Sequence, residues 1–290
     1  MTNSHEEIER SALALAQELA REAIELARGG SAIVSRKANA FDVVTAADIA
    51  IENHLRQRIS EQFPGHAILG EEQGLRGEDR DWTWVVDPID GTFNYATGLP
   101  GAASSIALMH GDETRVGAVA DFALDTVFSC RTGAGMTWDR GFAPADVEAA
   151  AVLGRDRLLI DPGHQMPDPV VFSVLRLFAE LAPVIPRLIG SAAISLAAVA
   201  LSGGCFVGAG LEIWDAAAGM LLAEERGRAV RWWRFSSDSS HHVLAGEPAL
   251  VRAFEPLMRD FICSWRGGQD TPSPSASQDQ LLGPSPTMLI

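Results

Sequence analysis

Three short acidic segments, each following an apolar run, carry residue types suited to chemistry: Gly70-Glu71-Glu72, Asp87-Pro88-Ile89-Asp90-Gly91-Thr92 and Trp214-Asp215. One acid after a buried strand is commonly an N-cap or a turn residue. Four brought to one place are another matter, because Glu71, Asp87, Asp90 and Asp215 would repel one another prohibitively without cations. All-oxygen ligands suit Mg²⁺, above all when a substrate phosphate completes the shell. Within the middle segment Pro88 fixes the turn, Gly91 lets the backbone approach a ligand, and Thr92 offers its hydroxyl and amide at a helix start. The pattern predicts Mg²⁺ and an anionic substrate.

These acids need elements to hold them. Ser4 with Glu7 fits a capping box, and the stripe Ile8, Leu15, Leu19, Ala23 and Ile24 predicts a long helix stopped by Gly29-Gly30. Thr45 with Asp48 fits a second box ahead of Ile51, Leu55 and Ile59, and Pro64-Gly65 closes that element. Asp48 therefore falls in a helix's first turn, where its local reading is a capping acid. His66 to Leu69, Trp82 to Val86, SSIALMH, RVGAVADF and TVFSC predict strands. After the Gly-rich stretch 133–141, RLLI, a helix near Val170 to Leu181, PRLIG and an Ala-rich helix from Ser191 to Leu201 alternate as strand and helix, which predicts a second α/β layer. CFVGA and LEIW are further strand candidates, and WDAAAGMLLAEER has helical composition. The expected division is a half over 1–141, a half over 142–266 carrying Asp215, and an unstructured Ser/Pro/Gln/Gly-rich tail over 267–290.

The 290 residues carry 23 Lys and Arg against 38 Asp and Glu, a net charge of −15 that repels nucleic acid and anionic membranes. Cys130, Cys205 and Cys263 form no ligand pattern and read as thiols of a reducing compartment. The opening residues MTNSHEEIERS are charged where a signal peptide is apolar, so a cytoplasmic protein is expected. His241-His242 looks like a metal pair, but neighbours on a strand face opposite ways. The tryptophans read as core residues, with Trp214 buttressing Asp215.

GEE, WVVDPIDGT and WDAAAG, in this order and at these separations, resemble the inositol monophosphatase family of Mg²⁺-dependent, lithium-sensitive phosphatases over about Lys37 to Gly227. The resemblance implies an α/β fold, a layered αβαβα sandwich, usually a homodimer, with metals between its two halves. It implies that Glu71, Asp87 and the Ile89 carbonyl hold one Mg²⁺ and Asp87, Asp90 and Asp215 a second, with Glu71 helping a looser third. Glu72 would orient its neighbours from behind, and Lys37 would sit on a loop over the site. Gly91 and Thr92 amides would take the phosphate, and Asp90, Ala192 and Asp215 would meet the leaving alcohol. A metal-activated water, deprotonated with help from Thr92 and Asp48, would attack in line without a phosphoenzyme; Glu71 belongs to the same catalytic set.

The match has departures. Gly208 stands where inositol-specific members carry a glutamate that contacts a ring hydroxyl, and Glu212 is a candidate substitute from a different angle. Gly208→Glu is therefore expected to favour inositol 1-phosphate over an acyclic substrate such as glycerol 2-phosphate, provided the backbone there tolerates a side chain. Gly190-Ser191-Ala192 matches the small-residue turn beside the sugar, and Glu224-Glu225-Arg226-Gly227 replaces the usual EAGG, which touches packing. The expected activity is hydrolysis of a small polyol phosphate such as inositol monophosphate. Relatives acting on histidinol phosphate, fructose 1,6-bisphosphate or adenosine 3′,5′-bisphosphate give the alternatives, as does a non-catalytic metal-binding regulatory member, against which the full ligand set argues.

Overall fold

The apolar stripe read from the sequence becomes α1 (Thr2–Ala27), which buries Leu15, Leu19, Ala23 and Ile24. This computed structural model describes residues 2–30, 32–36, 43–139, 157–163, 185–234, 240–265 and 273–274. The helix begins at Thr2, so Ser4 lies inside it rather than at its cap. A short antiparallel pair, β1 (Ile33–Arg36) and β2 (Val43–Thr45), leads into α2 (Ala46–Gln62), where Thr45 and Asp48 form the expected capping box.

The first large sheet has the order β4-β3-β5-β6-β7-β8-β9. Its strands are β3 (His66–Gly70), β4 (Gly74–Arg76), β5 (Asp79–Asp90), β6 (Ala103–His110), β7 (Glu113–Asp121), β8 (Thr126–Arg131) and β9 (Met136–Trp138). Alternation along β5 decides its two faces. Trp84 and Val86 pack beneath α1 and α2, while Val85 between them packs against the opposite layer of helices. A short helix, α3 (Thr92–Thr97), follows β5.

The second sheet, β11-β10-β12-β14-β13-β15, is parallel at β11-β10-β12 and antiparallel beyond. It contains β10 (Arg157–Asp161), β11 (Ile185–Arg187), β12 (Cys205–Leu211), β13 (Ala229–Arg234), β14 (His241–Gly246) and the two-residue β15 (Ser273–Pro274). Two helices fill the space between the sheets, α4 (Ala192–Ser202) and α5 (Ile213–Glu225), and α6 (Pro248–Trp265) covers the far face. The layers are thus α1/α2, sheet, α4/α5, sheet, α6, the αβαβα sandwich that was expected.

The middle helices are built from small residues because two sheets press on them. Ala193, Ala197, Ala200, Ala216, Ala217 and Ala218 are all buried there among Val119, Phe206 and Val243. LEIW proves not to be a strand, since β12 ends at Leu211 and α5 starts at Ile213. Glu225, in the departure from EAGG, accepts the Gly133 and Gly135 amides at 2.7 Å each, which is the packing role expected of it. His241 and His242 are both buried in β14, and burial pushes His242 down to about 4, as suits a core histidine. The helix expected near 170–181, the 141/142 boundary, Lys37 and most of the tail lie outside the described residues. Among the described residues no helix is long and apolar enough to cross a membrane.

Candidate active site

Asp87 and Asp90 stand three apart on β5, and in a regular strand they would point to opposite faces. The register resolves this. Asp87 pairs with Ser105 and Asp90 with Ala103, so three steps on β5 match two on β6, a bulge of one extra residue at Pro88-Ile89. Oxygens of Asp87, Asp90 and Asp215 then come within 4.8 Å of one another. Glu71, just past the end of β3, joins them along a cleft of about 370 Å³ that Ile89, Gly91, Thr92 and Ala192 also line.

Three helix N-termini meet here, and each spends backbone donors on one of the acids. Asp48, the third residue of α2, accepts the Thr45 amide on Oδ2 at 2.7 Å. Asp215, the third residue of α5, accepts the Glu212 amide on Oδ2 at 2.8 Å. Asp90 reaches across to α4, taking the Ser191 hydroxyl at 2.6 Å and the Ala193 amide at 2.7 Å on Oδ2, and so ties the end of β5 to the start of α4. Such bonds favour a carboxylate, yet burial wins. Desolvation, followed by repulsion from neighbouring acids, raises Asp87, Asp90 and Asp215 well above the ordinary carboxylate range. Asp87 Oδ1 is moreover buried without a hydrogen-bond partner. A buried acid cluster with an orphaned oxygen fits a divalent cation bound through oxygens.

Asp48 combines its two readings, for it is a capping acid on Oδ2 and a site residue on Oδ1. The Thr92 hydroxyl lies 3.3 Å from Oδ1 and 2.8 Å from the Ile89 carbonyl. Burial, with Glu71 adding to it and Thr45 opposing it, pushes Asp48 up to about 6, a value suited to a base near neutral pH. Gly91 has φ of +85°, and a Cβ there would lie 2.4 Å from the Gly101 carbonyl oxygen, so only glycine fits the turn that presents Thr92.

Glu72 sits at the turn after β3, outside the cleft lining, with its amide on Glu52 Oε2 at 2.7 Å. Glu52 escaped sequence reasoning. It lies one turn beyond Asp48 on α2, is fully buried, accepts the Gln73 amide and bonds Arg56, and so holds the loop that carries Glu71. The signal was the i, i+4, i+8 row Asp48, Glu52 and Arg56, charged residues on a face that α2 buries. Asp161 was missed too. It ends β10, lines the cleft and acts electrostatically on both Asp90 and Asp215. Glu212, offered as a stand-in for a missing glutamate, is not among the lining residues.

The profile of the inositol monophosphatase family matches residues 4–249. The chain belongs to the inositol monophosphatase family. It is 36% identical over 243 residues to the inositol-1-monophosphatase SuhB of Mycobacterium tuberculosis, covering 74% of this chain and 82% of that protein. It is 33% identical over 241 residues to the Nus factor SuhB of Escherichia coli K12, covering 79% and 87%. The solved structure of Mycobacterium tuberculosis SuhB superposes with a TM-score of 0.65 at 32% identity, over 90% of this chain and 98% of that one. Membership supports phosphatase activity, and the acid cluster is one that can hold metal.

Proposed function

We propose that this member of the inositol monophosphatase family is a Mg²⁺-dependent phosphomonoesterase acting on a small polyol phosphate such as inositol monophosphate. The observation that carries the reading is the meeting of Glu71, Asp90 and the buried Asp87 and Asp215 beside the Asp48–Thr92 pair. Glu71, Asp87 and the Ile89 carbonyl would hold one Mg²⁺, and Asp87, Asp90 and Asp215 another, with Glu71 helping a third. When bound, Mg²⁺ supplies positive charge for the phosphoryl oxygens and the departing alkoxide and makes a water acidic enough to attack at neutral pH.

The chain's own groups do the rest. Thr92 Oγ orients the attacking water, and Asp48, poised at about 6, draws its proton through Thr92. Backbone amides of Gly91 and Thr92 receive the phosphate, and Asp90, Ala192 and Asp215 border the leaving alcohol. Attack is in line, and no phosphoenzyme forms. The same reading carries lithium inhibition, a homodimer and a cytoplasmic setting, and Glu72 and Lys37 as supporting residues.

One observation favours a second reading: the Escherichia coli relative is named a Nus factor, so a member can carry a name that is not an enzyme's. Phosphate release separates them. Inositol 1-phosphate, histidinol phosphate, fructose 1,6-bisphosphate and adenosine 3′,5′-bisphosphate are incubated with millimolar Mg²⁺ or with EDTA. The phosphatase reading expects Mg²⁺-dependent release, inhibited by Li⁺, from at least one of them. No release from any would leave the non-catalytic reading standing.

A further inference from the structure

Glu71 sits on a turn whose position is decided from behind, by α2. β3 ends at Gly70 and β4 starts at Gly74, so Glu71, Glu72 and Gln73 form the connection between them. The Glu71 amide donates to the carbonyl of Val86, the residue before Asp87, at 3.3 Å. Glu52 takes the next two amides, Glu72 on Oε2 at 2.7 Å and Gln73 on Oε1 at 3.1 Å. Arg56, one turn further along α2, donates Nε to Glu52 Oε1 at 2.8 Å, Nη1 to the Ile68 carbonyl at 3.3 Å and Nη2 to the Gly74 carbonyl at 2.5 Å. The pair thus grips two amides of the turn and one carbonyl on each arm of the hairpin. The fit is close, since a Cβ on Gly70 would lie 2.5 Å from Glu52 Oε1 and 2.8 Å from Arg56 Nη2. Glu52 and Arg56 are both buried, and neither is among the residues that line the cleft.

Resting on the phosphatase reading above, in which Glu71 holds Mg²⁺, we propose that Glu52 and Arg56 are positioning residues that set the affinity for Mg²⁺ by fixing the Glu71 turn. A buried ion pair adds little net stability over apolar residues of the same volume, so its use behind this turn is geometric. Mg²⁺ demands near-ideal octahedral geometry, and its affinity is therefore sensitive to a small displacement of one ligand. The acceptor chemistry is specific as well. Glu52 meets three N–H donors, which a carboxylate satisfies on its two oxygens, whereas glutamine would turn an NH₂ group against one of them and leave Arg56 without its countercharge. Asp48 stands one turn before Glu52, so a single helix places both the base and the Glu71 turn.

The test is calorimetric titration of Mg²⁺ into metal-free wild type, Glu52→Gln, Arg56→Lys and Glu9→Gln, alongside phosphate release from inositol 1-phosphate over a range of Mg²⁺. Glu9 is the control, an equally buried acid on α1 that accepts from Arg115 and Arg131 on β7 and β8. Glu52→Gln is expected to weaken Mg²⁺ binding about 10–100-fold, the usual cost of losing a group that orients a metal ligand. Arg56→Lys keeps the charge but loses the fork to Ile68 and Gly74, and an intermediate loss is expected; it also carries the test if Glu52→Gln does not fold. Glu9→Gln should lower the melting temperature yet leave Mg²⁺ affinity within about twofold of wild type. Saturating Mg²⁺ should restore turnover in both α2 variants with KM for inositol 1-phosphate unchanged, a split that lost stability alone would not produce. Unchanged Mg²⁺ affinity in the α2 variants, an equal loss in Glu9→Gln, or a fall in turnover that Mg²⁺ does not restore would each overturn the proposal. If wild type binds Mg²⁺ but hydrolyses nothing, the phosphatase reading fails, and the titrations still decide the role of Glu52 and Arg56; a wild type that binds no Mg²⁺ overturns both.

Discussion

Two stretches of the cleft lining are built on different principles. In one, Glu71, Asp87, Asp90 and Asp215 meet, with Asp87 and Asp215 buried, three helix N-termini donate to Asp48, Asp90 and Asp215, and the arrangement is still electrostatically costly, as the raised Asp87, Asp90 and Asp215 attest. In the other, supplied by the second sheet and the segment before α4, Ile160, Pro162, Gly163, Leu188 and Leu211 stand with one acid, Asp161, that accepts the Gly163 amide. The first stretch is an unfinished charge balance that calls for cations, whatever the substrate. The second is chiefly a matter of shape. Changes in the first should therefore alter rate and stability together, and changes in the second should act through packing.

The largest effect should come from Asp90→Asn. The asparagine oxygen can still accept from Ser191 and Ala193, so the tie to α4 survives, but a charge is lost where the transition state needs it, and turnover should fall by about 10²–10³-fold. Stability moves the other way. Carboxyls raised in the folded chain bind more protons there than in the unfolded chain, so metal-free stability falls as pH rises above the ordinary value of 3.8 and through the folded values. In EDTA, wild type should melt lower at pH 8 than at pH 5, and Asp90→Asn should flatten that slope and melt higher than wild type at pH 8. Added Mg²⁺ should stabilise wild type more than the variant. A variant with near-normal turnover, or one that melts below wild type in EDTA at pH 8, would erase the contrast between the two stretches.

Asp48→Asn should have the next largest effect, about 10²-fold on turnover. The basic form of Asp48 grows as pH rises through about 6, so wild-type rate should climb across that value and the variant should lose the limb. Its stability should change less than in variants of Asp87 or Asp215, because an asparagine oxygen can keep the Thr45 amide. A pH profile that is the same in both proteins would remove Asp48 from proton transfer and leave it a cap.

Legibility follows the same division. The acid cluster was readable because its motifs are compact: GEE, DPIDGT and WDAAAG each place an acid at a strand end or a helix start, and the family resemblance that they carry implies the meeting. Individual helices and strands were readable from periodicity, down to the Thr45–Asp48 box, whereas the αβαβα layering followed from the family resemblance. What escaped was long-range. Glu52 looks like any helical glutamate until the loop 71–73 is seen folded onto it, and Asp161 looks like a turn acid after RLLI until β10 is known to lie beside β12. The bulge at Pro88-Ile89 was hidden for the same reason, being a property of two strands rather than one. LEIW misled because a short apolar run fits a strand and a helix start equally well.

The smallest effect is expected at Gly208, where the expectation drawn from sequence depended on room for a side chain. Gly208 is not in the left-handed region, so the backbone accepts a side chain, but neighbouring side chains must shift to admit one. A Cβ would lie 2.4 Å from Leu211 Cδ1 and 2.9 Å from Phe206 Cε1. Glutamate must push aside Leu211, which itself lines the cleft, at a cost of about 1–3 kcal/mol in stability. It would also bring a second carboxylate to the level of Asp161, its partner in register, where like charges repel. A hydrogen bond to a charged group is worth about 1.5–3 kcal/mol, roughly tenfold or more in kcat/KM, but only if the acceptor reaches the hydroxyl unhindered. Gly208→Glu should accordingly change the kcat/KM ratio of inositol 1-phosphate to glycerol 2-phosphate by less than about threefold while lowering the melting temperature. A gain of tenfold or more would show that Leu211 yields readily and that the glutamate reaches a ring hydroxyl.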